Sequence, residues 1–154
     1  MNMLKEIAEL TSGGAVLITG NGKRIARIYL NAWGGREGRR ILAEYLPFQV
    51  EGDVYIGPPF ESDDFDVYLI VNPLSRSKAE KEELKKWLAS HGGDKLVLLY
   101  EHKYVRDSIT RYGIREFIDY LIAYKRETVG FERVDVARLE DGKIVESKTY
   151  IRRY

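Results

Sequence analysis

Apolar positions fall into two patterns that alternate along the chain. Continuous runs with little polar interruption, at residues 15–19, 66–71 and 95–100, predict strands buried on both faces. Stripes at helical spacing separate them. Leu4, Ile7, Ala8 and Thr11 form the first, stopped by Gly13-Gly14. Ile25, Ile28, Tyr29 and Ala32 form the second, interrupted by Gly34-Gly35, and Ile41, Leu42, Tyr45 and Leu46 resume the helical pattern up to Pro47. Residues 53–56 predict a short strand before the turn-rich Gly57-Pro58-Pro59. Ser77, with Glu80 three residues on, makes a capping box. The helix it opens carries Leu84, Trp87 and Leu88 inward and ends at Gly92-Gly93. A basic, aromatic stretch at 101–115 leads to the apolar run 117–124. The tail predicts a hairpin, 131–139 and 143–152, around an Asp141-Gly142 turn suited to type I′ geometry. That register sets Leu139 opposite Ile144 and Asp135 opposite Lys148.

Apolar strands alternating with helices predict a mostly parallel sheet covered on both faces. The expectation is a single three-layer α/β/α domain over residues 1–154. Its core strands run through Val16, Val54, Val67, Val97 and Ile118, with the hairpin antiparallel at one edge.

Composition narrows the chemistry. The chain has 154 residues, enough for a real core without staples. It has no cysteine, hence no disulfide, no thiol nucleophile and no cysteine-based zinc site. Two histidines, His91 and His102, leave no histidine-rich metal site, and neither has the serine and carboxylate pattern of a triad. Adjacent strand residues point to opposite faces, so Glu101-His102 is not expected to act as an acid–base pair. No catalytic residue, metal or cofactor is expected. A net charge of +1 excludes a molecule that is basic throughout. Apolar runs stay far short of the roughly 20 residues that span a bilayer, and the first residues lack a signal-peptide pattern. The expectation is a cytoplasmic protein. Charged residues at 32% and a lone glutamine, Gln49, fit the bias of hyperthermophile proteins.

Gly20-Asn21-Gly22-Lys23 sits where a strand turns into a helix, the place of a phosphate-binding loop. A working loop reads G-x-x-x-x-G-K-[ST]. Here one residue separates the glycines, and Arg24 stands where the magnesium-binding hydroxyl belongs. The alternative is a tight turn.

The order of elements resembles a shortened, degenerate member of the RecA/KaiC-like ATPase superfamily, over nearly the whole chain. Residues 15–19 with Gly20, Asn21, Gly22 and Lys23 look like the Walker A strand and loop. Residues 66–71 with Asn72-Pro73-Leu74-Ser75 look like the Walker B strand, with Asn72 in place of the usual aspartate. Residues 96–100 with Glu101-His102 are similar to the next strand and its sensor position. Residues 117–126 and the hairpin look like the family's terminal strands. Where the family places its catalytic glutamate, the chain offers Glu51 and Glu61. Every departure falls on a catalytic part, and phosphoryl transfer depends on positioning and charge, so the resemblance implies a pseudo-ATPase.

Two basic segments complete the candidates. Lys23, Arg24, Arg27, Arg36, Arg39 and Arg40 could form a phosphate-binding ridge, or a solvated face balanced by Asp53, Glu61, Asp63, Asp64 and Asp66. Lys103, Tyr104, Arg106, Arg111 and Tyr112 interleave base and aromatic, as in loops that hold single-stranded nucleic acid, or else pack as a surface helix. At the hairpin, Tyr150, Ile151 and Tyr154 are interface anchors for a protein partner or a second copy. Three functions follow: a non-catalytic module that binds proteins, a single-strand nucleic-acid accessory, or a residual nucleotide binder. No membrane contact is expected.

Overall fold

The computed structural model describes residues 7, 14–20, 22–34, 39–50, 53–61, 64–90, 95–102, 114–127 and 130–153. In chain order these form β1 (Gly14–Gly20), α1 (Lys23–Gly34), β2 (Ile41–Ala43), β3 (Val54–Ile56), β4 (Val67–Val71), α2 (Lys78–Ser90), β5 (Leu96–Glu101), β6 (Tyr120–Glu127), β7 (Phe131–Glu140) and β8 (Lys143–Arg153). Short 3₁₀ turns occupy Pro59–Glu61, Pro73–Ser75 and Arg115–Phe117. All eight strands lie in one sheet, ordered β3-β2-β4-β5-β1-β6-β7-β8. The first six pair parallel, and β6, β7 and β8 pair antiparallel.

Both faces of the central strands are apolar, as the uninterrupted runs require. Val16, Ile18, Val67, Leu69, Leu96 and Leu98 share one cluster with Ile25, Ala26, Tyr29 and Leu30 of α1. Their strand neighbours Ala15, Leu17, Tyr68, Ile70, Val97 and Leu99 join Leu84, Trp87 and Leu88 of α2 in a second cluster. The tyrosine and tryptophan rings of Tyr68 and Trp87 meet edge-on, 4.9 Å between centroids. Ser77 caps α2 as expected, its Oγ accepting from the Glu80 N–H at 3.3 Å, while the Glu80 carboxylate accepts from the Ser77 hydroxyl at 2.8 Å.

The start of β1 is fixed by Asp119. Its Oδ2 accepts from the Ala15 N–H at 2.8 Å, and its backbone N–H donates to Ala15 O at 2.9 Å. Only glycine fits beside it, because a Cβ at Gly14, where φ is +86°, would stand 2.4 Å from Asp119 Oδ2.

Four expectations change. Residues 41–43 are a strand, not a resumed helix: β2 is inserted between β3 and β4 and buried on both faces, so its apolar run carries no alternation. The sixth strand starts at Tyr120, after a 3₁₀ turn over Arg115–Phe117, so Ile118 precedes it. In the hairpin, Leu139 does face Ile144, and Asp141 and Gly142 both take the positive φ of a type I′ turn. Beyond that pair, a register shift between Arg138 and Leu139 leaves Val145 as an extra residue, so Asp135 faces Thr149 instead of Lys148. Thr149 Oγ1 donates to Asp135 Oδ1 at 2.6 Å in consequence. The fourth, Glu101-His102, belongs to the strand ends below. The predicted first helix lies outside the described residues except Ile7, whose carbonyl accepts from Tyr29 OH at 3.2 Å.

Candidate strand-end site

Connections leaving β1 and β5, which are neighbours, run in opposite directions across the sheet, to β2 and to β6. Ligands of open α/β sheets bind at such a reversal, beyond the carboxyl ends of the strands. Gly20, Gly22, Lys23, Arg24, Asn72, Glu101 and His102 all fall at this end.

The turn after β1 is tight. Gly20 has φ +87°, and the buried Gly22 leaves its neighbours so close that a Cβ would meet Ile18 Cγ2 at 2.7 Å. The Gly22 carbonyl accepts from the Ala26 N–H at 3.0 Å, closing the first turn of α1. Lys23 and Arg27 are exposed, four residues apart on one helix face. Arg24 points elsewhere. Its guanidinium lies 3.5 Å from Glu132 Oε2 on β7, a carboxylate only 1% exposed. Tyr124 OH donates to the same oxygen at 2.7 Å, and Arg152 of β8 pairs with Oε1. Helix α1, β6, β7 and β8 are thereby held at one buried carboxylate. Burial first, then the hydrogen bond to Glu132 and its charge, push the Tyr124 phenol up to about 12.

Asn72 follows β4 in a left-handed conformation, φ 53° and ψ 53°. Its backbone N–H donates to Tyr100 O at 2.7 Å, and its side-chain Oδ1 accepts from His102 Nδ1 at 2.8 Å. The same Nδ1 stands 3.4 Å from Glu101 Oε2. Glu101 is fully buried. Its other oxygen accepts from the Leu74 N–H at 3.1 Å and from Ser75 Oγ at 3.0 Å. The expectation that Glu101 and His102 point apart is therefore corrected: Glu101 is the last residue of β5 and His102 lies beyond it, where strand alternation no longer holds. Glu44, just past β2, was not singled out by sequence. It accepts from the Val71 N–H at 3.1 Å and pairs with Arg76, whose guanidinium also reaches Val71 O at 3.2 Å. Glu61 is exposed at the end of the 3₁₀ turn, and Glu51 lies outside the described residues.

The basic residues divide. Arg39 and Arg40 precede β2, at the opposite end of the sheet from Lys23, with α1 running about 18 Å between the two ends. Arg40 lies over the rings of Phe65 and Tyr55, at 4.6 and 5.1 Å, and donates to Asp64 O at 3.3 Å. Its backbone N–H donates to Asp66 Oδ2 at 2.9 Å. For Arg40 the acidic stretch is the partner. Asn21, Arg36, Lys103, Tyr104, Arg106, Arg111, Tyr112 and Tyr154 lie outside the described residues.

Strand β8 is the outermost strand of the sheet, and nearly all of it is exposed. Ile151 is 64% exposed, and Ile144 and Val145 are about half exposed. Tyr150 differs from Ile151: its ring turns home into the cluster of Val134 and Val136.

No protein-family model matches the chain, and no curated protein matches it. Among solved structures, the N-terminal domain of zonular occludens toxin from Neisseria meningitidis superposes with a TM-score of 0.56. Identity is 9%, over 91% of this chain and 94% of that one. The likeness is one of fold. Among the described residues, no helix is long and apolar enough to cross a membrane and no cluster of three metal-ligating side chains occurs.

Proposed function

We propose that the chain is a non-catalytic binding module: a three-layer, RecA-like sheet that acts through protein–protein contacts at its C-terminal hairpin. The observation that carries the reading is β8, an eleven-residue edge strand exposed almost from end to end. Edge strands offer unpaired backbone groups, and proteins either blunt them or use them. Ile151, Ile144 and Val145 on this one are apolar and exposed, as a contact surface needs.

The strand ends support the non-catalytic half. The loop is three residues short of a phosphate cradle, and Arg24 in place of its hydroxyl is directed at Glu132. Asn72 commits its side-chain oxygen to His102. As a neutral group it is a poor holder of hydrated magnesium. Deleting residues 149–154 tests the contact. The shortened chain is expected to lose mass by light scattering or to lose proteins that co-purify with the full chain. A shortened chain that folds, keeps its mass and keeps every partner contradicts the reading.

A further inference from the structure

We propose that β8 pairs antiparallel with β8 of a second copy, about a two-fold axis at Thr149, joining two sheets into one. This rests on the reading of the hairpin as a contact surface and names its occupant. Beyond the extra residue Val145, β8 alternates regularly. Glu146, Lys148, Tyr150 and Arg152 face the same way as Arg138, Val136, Val134 and Glu132 of β7, and Ser147, Thr149 and Ile151 face the other way.

A two-fold axis normal to the sheet keeps each residue on its own face, so the axis must pass through a residue and not between two. Charge then selects among the registers. Centring on Lys148 sets lysine against lysine, and centring on Tyr150 sets Lys148 against Arg152; like charges directly opposite are unfavourable. Centring on Ser147 runs into the extra residue after one step either side. Centring on Thr149 uses the regular stretch 146–152 in full. It sets Glu146 against the second copy's Arg152 at both ends, Lys148 against Tyr150, Ser147 against Ile151, and Thr149 against itself.

The groups are already disposed for this. Glu146 is 73% exposed, with Arg138 Nε at 3.4 Å. Arg152 is partly exposed and bonded to buried Glu132. Pairing extends these into a chain of alternating charge, Arg138–Glu146–Arg152–Glu132, repeated at each end of the two-fold. Lys148 Nζ lies 4.7 Å from its own Tyr150 ring, so opposed copies bring two cations and two rings together.

The chain has no cysteine, so Thr149→Cys introduces a single thiol on the axis. Opposite residues of an antiparallel pair have Cβ atoms about 4.5–5.5 Å apart, near disulfide distance. Expected is a full chain of twice the monomer mass by light scattering at micromolar concentration. Thr149→Cys becomes a disulfide-linked dimer under mild oxidation, and Lys143→Cys does not. Glu146→Arg alone gives monomers. Mixing it with Arg152→Glu restores a dimer, since opposite charges then face each other at both ends. If Arg152→Glu does not fold, Glu146→Arg and the cysteine pair still decide. A full chain that stays monomeric overturns the proposal, as does a dimer that ignores Glu146→Arg and leaves Thr149→Cys unlinked. A monomer that still loses bound proteins on deletion of 149–154 overturns self-pairing and leaves the hairpin reading standing; one that loses none overturns both.

Discussion

At the carboxyl ends of β1, β4 and β5, polar side chains bond to one another: buried Glu101 accepts from Leu74 and Ser75, Asn72 holds the exposed His102, and the half-exposed Arg24 reaches Glu132. Along β8, isoleucine, valine, glutamate and lysine are exposed, and among the described residues no strand lies beyond them in the sheet. In this molecule the polar groups at the strand ends bond to one another, whereas β8 presents exposed apolar and charged side chains along nearly its whole length. The two regions meet at Glu132, where Arg24 from one and Arg152 from the other share a carboxylate.

That junction is the first place to break the contrast. Glu132→Ala leaves the buried Tyr124 hydroxyl without its acceptor, at about 1–3 kcal/mol, while the two partly exposed arginines turn to water. Glu83→Ala, at an exposed site on α2 away from the hairpin, is expected to stay within about 0.5 kcal/mol. Urea denaturation of the two variants side by side measures the contrast, and equal effects would break it. Apolar residues repeat it: Ile18→Ala empties a fully buried site at roughly 2–5 kcal/mol, whereas Ile56→Ala, on exposed β3, changes stability by less than about 0.5 kcal/mol. Gly22→Ala tests the tightness of the turn. Its new Cβ meets Ile18 Cγ2 at 2.7 Å, and overpacking of this kind costs roughly 1–3 kcal/mol. A further effect is in pH. Tyr124 is neutral in the folded chain and ionises only near pH 12, while an unfolded tyrosine ionises near about 10. The folded state therefore binds more protons between these values, and stability falls as pH rises through them. Denaturation midpoints measured from pH 9 upward are expected to decline less steeply for Tyr124→Phe.

Much of the sheet was legible because burial on both faces writes itself as unbroken apolar runs, as at residues 67–71 and 96–100. The same property hid β2. Ile41, Leu42, Tyr45 and Leu46 happen to fit a helical stripe, and a three-residue strand with both faces covered offers no alternation to contradict it. The Asp141-Gly142 turn was readable from its two residues. The extra residue at Val145 was not, since nothing in Ile144-Val145-Glu146 marks one position for bulging. Glycine spacing showed the shortened loop. The partners of Arg24 and Asn72 lie 108 and 30 residues away, and a local pattern cannot pair them. Glu44 went unread because the helical reading of its segment kept it from the strand ends.

The proposal is that this sheet binds partners without performing phosphoryl transfer. Steady-state turnover of Mg-ATP by the full chain, purified beside Lys23→Ala through identical steps, tests it most directly. The account predicts that both preparations release phosphate at the same background rate. Turnover in the full chain that Lys23→Ala abolishes would contradict it.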